Sequence, residues 1–220
     1  HPVFVVRGRK IRDLRSGGRG RWEPVEGAGD FASAGTLQLH DYLKVSKPAT
    51  RRFDAFDMVD YLEPSAARTK AQLFSWDETA VWSRYAHTDL QRRVTRYVEA
   101  DADLAELFGW YAAEGSRTRV NVTFSLNTAE TAHAERITEL AMKVFSLPRD
   151  AISWSRDEER HSLRVTICSA AVAGLFRFGG DGAENKVVPE FVLFGSNENR
   201  KRFLAAYFHG WVAFKHVVGF

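Results

Sequence analysis

The chain has 220 residues, 45% of them hydrophobic and 27% charged, enough to build a buried core and too apolar for disorder to be the starting assumption. Lysine and arginine number 31 against 28 acids, and the resulting net charge of +3 is too mild by itself to argue for a nucleic-acid partner. The single cysteine, Cys168, excludes an intramolecular disulfide and a cysteine-based zinc cluster. No stretch approaches the roughly 20 apolar residues that cross a bilayer, and His1 to Arg7 lacks the basic, apolar, small order of a signal peptide. No membrane partner and a cytoplasmic location are therefore expected.

In chain order, residues 1–50 read as strand and turn. His1 to Val6 is a short apolar strand, Arg7-Gly8-Arg9-Lys10 a basic turn, Arg15 to Gly20 a mobile loop rich in glycine and arginine, and Tyr42 to Val45 a strand that stops at Pro48. Residues 51–97 form a connecting subdomain with Phe53, Phe56, Tyr61, Phe74, Trp76, Trp82 and Tyr85 as scattered anchors. From Asp103 to Glu114, Leu104, Leu107, Phe108, Tyr111 and Ala112 recur at helical spacing, and Gly115 ends the helix as a left-handed cap. Arg117 to Leu126 alternates as one strand. Val120, Val122, Phe124 and Leu126 take one face, and Arg119, Asn121, Thr123 and Ser125 the other. Thr128 caps a helix running to about Phe145.

Ile152, Trp154 and Arg156 then lead into a charged turn, Asp157-Glu158-Glu159-Arg160. The returning strand sets His161, Leu163, Val165 and Ile167 against Ser162, Arg164, Thr166 and Cys168. Residues 170–178 form a short helix, and Asn197 caps a last one that turns Phe203, Leu204, Tyr207 and Phe208 inward. The order from residue 103 is helix, strand, helix, two strands, helix, helix, an α+β pattern.

Leu104-Ala105-Glu106-Leu107-Phe108-Gly109-Trp110-Tyr111-Ala112-Ala113-Glu114-Gly115-Ser116 resembles the first dodecapeptide motif of the LAGLIDADG homing endonucleases carried by inteins. Lys186-Val187-Val188-Pro189 is similar to that family's Lys-x-Ile-Pro block, and Arg202 to Phe208 resembles its second dodecapeptide helix. Together these matches cover roughly residues 96–211. At the front, His1-Pro2-Val3-Phe4-Val5 resembles the splicing block whose histidine activates the first peptide bond of an intein. Leu39 to Val45 is similar to the Leu-x-x-Gly-Asp-x-Leu-x-Val stretch that follows it, with His40 in place of the glycine.

The resemblance implies an αββαββα half-saddle with a second dodecapeptide helix over residues 98–220. A partial, β-rich Hint-like splicing segment over 1–50 precedes it, joined by the subdomain at 51–97. Double-stranded DNA would lie in the concave sheet, with the host protein (the extein) as a further partner. Glu114 stands at the family's metal-binding acid, using Mg²⁺ or Mn²⁺, and Lys186 near the cleavage centre. Arginine, asparagine and threonine suit the donor and acceptor pattern of the major groove, so Arg117, Arg119, Asn121, Thr123, Arg156, Arg160, Arg164 and Thr166 are the candidate DNA contacts. His1 is the splicing-like residue.

The second motif departs from the pattern. It places Ala206 at the seam glycine, His209 at the first acid and Trp211 at the catalytic acid, and an indole offers no oxygen to Mg²⁺. An endonuclease impaired at one of its two acids is expected. Phe220 follows that helix with no second β saddle, terminal His-Asn pair or splice nucleophile, so the polypeptide alone is not expected to splice.

Each residue also has a plainer reading. An alternating polar face can be the wet side of a two-layer domain, Glu114 an exposed helix-end acid, Lys186 a surface lysine before a proline, and His1 simply the first residue. Three functions follow: an impaired endonuclease, a DNA-binding module without cleavage, and a splicing element.

Overall fold

The computed structural model describes the backbone over residues 2–12, 20–33, 42–43, 51–84 and 93–218, and the side chains over 51–84 and 93–209. The chain divides into two compact units, His1–Pro48 and Ala49–Phe220. In the first, strand β1 (Pro2–Arg12) pairs antiparallel with β2 (Gly20–Ser33) and with the short β3 (Tyr42–Leu43). The expected basic turn is absent: β1 continues through Arg7 to Lys10 and absorbs a register shift between Val6 and Gly8. Glycine tolerates the local backbone break of such a bulge, so the strand resumes instead of reversing. The loop expected at Arg15 to Gly20 lies outside the described residues up to Arg19, as do His1, Lys44 and Val45.

The second unit begins with β4 (Ala55–Asp57), helix α1 (Lys70–Leu73), β5 (Phe74–Trp76), β6 (Ala80–Ser83), β7 (Val94–Thr95) and β8 (Tyr97–Glu99). β4 pairs with β8, and β5, β6 and β7 form a small antiparallel sheet. Phe74 is buried, Phe53, Phe56 and Tyr61 pack partly against the core, Trp76 is exposed, and Tyr85 lies outside the described residues. Met58, Leu62, Val81, Val94 and Val98 share one hydrophobic core with the helices that follow.

Those are α2 (Ala102–Glu114), β9 (Gly115–Arg117), β10 (Val122–Asn127), α3 (Thr131–Phe145), β11 (Ile152–Asp157), β12 (Ser162–Ile167), α4 (Ala170–Phe176), α5 (Glu190–Leu193) and α6 (Asn197–Val218). The four strands form one antiparallel sheet in the order β11-β12-β10-β9. The fold is α+β. Among the described residues, no helix is long and apolar enough to cross a membrane.

Alternation decides which way this sheet faces. Val122, Phe124 and Leu126 of β10, Leu163, Val165 and Ile167 of β12, and Ile152 of β11 are buried against the helices. The opposite face carries exposed Ser116, Ser125, Ser153, Ser155 and Arg164, with half-buried Thr123 and Thr166.

The single strand expected from Arg117 to Leu126 is a hairpin. Thr118 Oγ1 accepts from the backbone N–H of Val120 at 3.3 Å and of Asn121 at 3.1 Å, and the Thr118 N–H donates to the Asn121 carbonyl at 2.9 Å. A hydroxyl that satisfies two amides in this way favours a turn over an extended chain. It throws Val120 out to 56% exposure, off the face it was expected to share with Val122.

Other local expectations shift as well. Asp101 caps α2, its Oδ1 accepting from the Leu104 N–H at 2.9 Å. Gly115, expected to be left-handed, is extended at φ −88°; a Cβ there would overlap Tyr111. Glu130, not Thr128, precedes α3, its Oε2 accepting from the Asn127 N–H at 2.6 Å. On α6, Phe203 and Ala206 are buried and Tyr207 half-buried, whereas Leu204 and Phe208 are 47% and 52% exposed.

Candidate active site and sheet face

Helices α2 and α6 form the most extensive helix–helix contact among the described residues. Gly109 lies at its centre: a Cβ there would overlap the Phe203 carbonyl oxygen and come within 2.8 Å of the Ala206 Cβ. The two backbones therefore leave no room for a side chain at this point. Outward from the seam, α2 meets α3 and α6 in successive rungs. At the first, buried Glu106 accepts two hydrogen bonds of 2.8 Å from Arg136 and one of 3.3 Å from Arg202. At the second, the Trp110 ring lies 4.8 Å from His133 and 6.4 Å from His209, centroid to centroid. One turn further along α2 comes Glu114, with Glu130, just before α3, the acid that acts on it.

Glu114 is half-buried, and among the described residues it has neither an ion pair nor a hydrogen bond. Burial, reinforced by the negative charge of Glu130, pushes its pKa up to about 7. A carboxyl raised in this way favours the neutral form in the fold, so its ionisation costs stability as pH rises through 7, and the cost is absent below the unfolded value near 4.3. Glu114→Gln is accordingly expected to be more stable than the wild type above pH 7, with the difference closing toward pH 4. Urea titrations of both proteins across that range check this.

Lys186 sits on the other side of the same helix end. Its ammonium donates to the carbonyls of Tyr111 at 2.5 Å and Gly115 at 2.7 Å, and lies 3.3 Å from the Tyr111 ring centroid. A cation on the last carbonyls complements the helix dipole and satisfies acceptors that the helix leaves open. Burial pulls its pKa down to about 8 while Asp181 holds it up. Beside it a groove of about 680 Å³ is lined by Ala112, Ala113, Val187, Val188, Phe203 and Leu204 among others. The two catalytic candidates are thus brought to one helix end, with Lys186 on the backbone and Glu114 toward Glu130.

The candidate DNA contacts are not brought together. Arg117 is buried on the helix side of the sheet, its side chain 7% exposed, paired with Glu63 at 3.0 Å and with Asp181, and donating to the Ala173 carbonyl at 3.2 Å. Arg119 is in the hairpin turn and donates to the Pro64 carbonyl at 2.7 Å. Asn121 ends the same turn. Arg156 shares the row of Leu126 and Leu163 and donates to Glu158 and to the Thr128 carbonyl. Arg160 is in the charged turn beside Asp157. Only Thr123, Arg164 and Thr166 lie on the open face, where the two threonine hydroxyls are 3.1 Å apart.

Arg117→Ala is therefore expected to cost about 3 kcal/mol, the scale of stranding a buried charge such as Glu63, and to leave any sequence preference for DNA unchanged. Denaturant melts and duplex-binding profiles of that variant test both halves. His1 lies outside the described residues; Trp211 is on the α6 backbone with its side chain outside them.

The chain matches no protein-family model and no curated protein. Several residues that build the site carried no signal of their own. Glu106, Arg136 and Arg202 lie 30 and 96 residues apart in pairs, and nothing local marks Glu130, Glu63 or Asp181 as their neighbours' partners.

Proposed function

We propose that the unit from about residue 98 onward is a LAGLIDADG-type endonuclease domain, an αββαββα half-saddle whose second dodecapeptide helix is α6. It binds double-stranded DNA on the open sheet face and hydrolyses a phosphodiester with a divalent metal. The observation that carries this reading is the seam: Gly109 of the first motif lies against Phe203 and Ala206 of the second, and Glu114 stands at the end of the seam helix. The element order and the antiparallel order β11-β12-β10-β9 support it.

The donor set suits Mg²⁺ or Mn²⁺. Mg²⁺ is commonly held by one or two carboxylates together with waters and substrate phosphate oxygens, and Glu114 offers an unpaired carboxylate at a half-exposed position. Among the described residues, no group of three or more His, Cys, Asp or Glu is placed to hold an ion. When bound, such a metal would supply activation of a water and charge stabilisation at the leaving oxygen. Glu114 would hold it at the helix tip, and Lys186 would fix that tip by binding the carbonyls of Tyr111 and Gly115.

A specific observation favours a second reading, a DNA-binding module without cleavage: Trp211 stands where the second motif keeps its acid. A Hint-like origin for residues 1–50 is supported by the His1 block and by the strand at Tyr42–Leu43. The deciding experiment incubates the full chain with supercoiled plasmid and with pooled random duplexes, with Mg²⁺, Mn²⁺ or chelator. Metal-dependent nicking is the expected result. Duplex binding indifferent to metal would leave the binding module, and no interaction with DNA at all would remove both readings.

A further inference from the structure

Five arginines invite assignment to DNA from sequence, but their chemistry in the fold divides them. Arg117, Arg119 and Arg156 have their guanidinium groups bound to carboxylates or carbonyls of their own chain, and that of Arg160 lies 3.8 Å from the Asp157 carboxylate. Two arginines near the start of α6 are similarly engaged, while Lys201 between them is exposed: Arg200 donates to the Leu193 and Gly195 carbonyls, and Arg202 pairs with Glu106 and Glu198. Arg164 differs. It lies in β12, a central strand, is exposed, and its side chain makes no hydrogen bond or ion pair among the described residues.

Its neighbours on the open face are hydroxyls. In register it stands between Ser125 of β10 and Ser155 of β11, and the next row carries Ser116, Thr123, Thr166 and Ser153. The row on the other side ends in Asp157, whose carboxylate receives the Arg160 N–H at 3.1 Å and pairs with that side chain. The face is therefore a nearly neutral, hydroxyl-covered surface with one free guanidinium at its middle. Serine and threonine hydroxyls donate or accept, so they discriminate weakly among bases. A guanidinium fork on a rigid strand matches the O6 and N7 acceptors of guanine bidentately.

Resting on the duplex-binding reading above, we propose that Arg164 is the specificity-determining residue of the sheet, reading one guanine in the major groove, while the surrounding hydroxyls accept any base. Each good bidentate pair is worth roughly 5- to 150-fold in discrimination against the wrong base. One strongly preferred G·C pair flanked by weak positions is the pattern this face should write into a binding site.

The test recovers bound duplexes from a random pool with the full chain, in the wild type, Arg164→Ala and Arg164→Gln, each first checked for an unchanged thermal melt. The wild type should enrich a single invariant guanine. Arg164→Ala should flatten that position alone, and Arg164→Gln should shift it toward adenine, since the glutamine amide pairs with adenine N6 and N7. Retention of the wild-type preference by Arg164→Ala overturns the assignment. So does a drop in affinity that is uniform across all sequences, which would mark a phosphate contact. Wild-type binding with no preference overturns the assignment and leaves the DNA-binding reading standing, whereas no captured duplex at all overturns both.

Discussion

Glu114→Gln should cut metal-dependent nicking by roughly 100-fold or more, the scale of losing one preorganised charge at a reacting centre, while leaving duplex affinity almost unchanged. The substitution keeps the volume and hydrogen-bonding reach of the side chain and removes only its ability to ionise. Two parts of the geometry argue that the effects separate. Glu114 is at the tip of α2, which packs on the buried side of the sheet, whereas Arg164 and the hydroxyls are on the opposite side. Lys186, which pins the helix end, bonds backbone carbonyls and is untouched by the change. Gel-shift and plasmid-nicking assays on the same preparations read both quantities. Lost affinity with retained nicking would overturn the assignment of Glu114.

Gly109→Val should destabilise the protein by about 3 kcal/mol or more, the upper range for forcing extra volume into a packed core. For a chain of this size that corresponds to a fall in Tm of roughly 6–12 °C. The nearest obstacle to any side chain at this position is the backbone oxygen of Phe203, which cannot rotate away, and the next is the Ala206 Cβ at 2.8 Å. The companion change Ala206→Gly should therefore recover little, because it removes the second obstacle and leaves the first. Substantial rescue in the double variant would mean that the helices can slide apart at small cost.

The amphipathic helices and the buried halves of the strands were legible because period and packing agree: Leu104, Leu107, Phe108 and Tyr111 all reach the core, as do Val122, Phe124, Leu163, Val165 and Ile167. The hairpin at Thr118 to Asn121 was not. Strict alternation from Arg117 to Leu126 continues through the turn, and only the hydroxyl at Thr118 hinted that the backbone would fold back. That one turn moved Arg119 off the strand and freed Arg117 for the helix side, where Glu63 and Asp181 wait from distant parts of the chain.

The same limit hid the arginine partners generally. Basic clusters are visible in sequence, but some guanidinium groups are spent on contacts made across 55 or 96 residues, as with Pro64 and Arg119 or Glu106 and Arg202. The helix tip was better served, since Gly109, Glu114 and Lys186 lie in short motifs.

The Glu106–Arg202 pair spans 96 residues of sequence and belongs to the seam between α2 and α6. Contacts between segments so far apart are slow to form, because loop closure must be met before they repay it. The sheet and α3 all lie between the two partners, so an emerging chain presents them before α6. A chain stalled in that interval has its sheet face and Glu114 but no second helix beside Gly109. The seam at Gly109 is therefore the last part of this unit that synthesis makes possible.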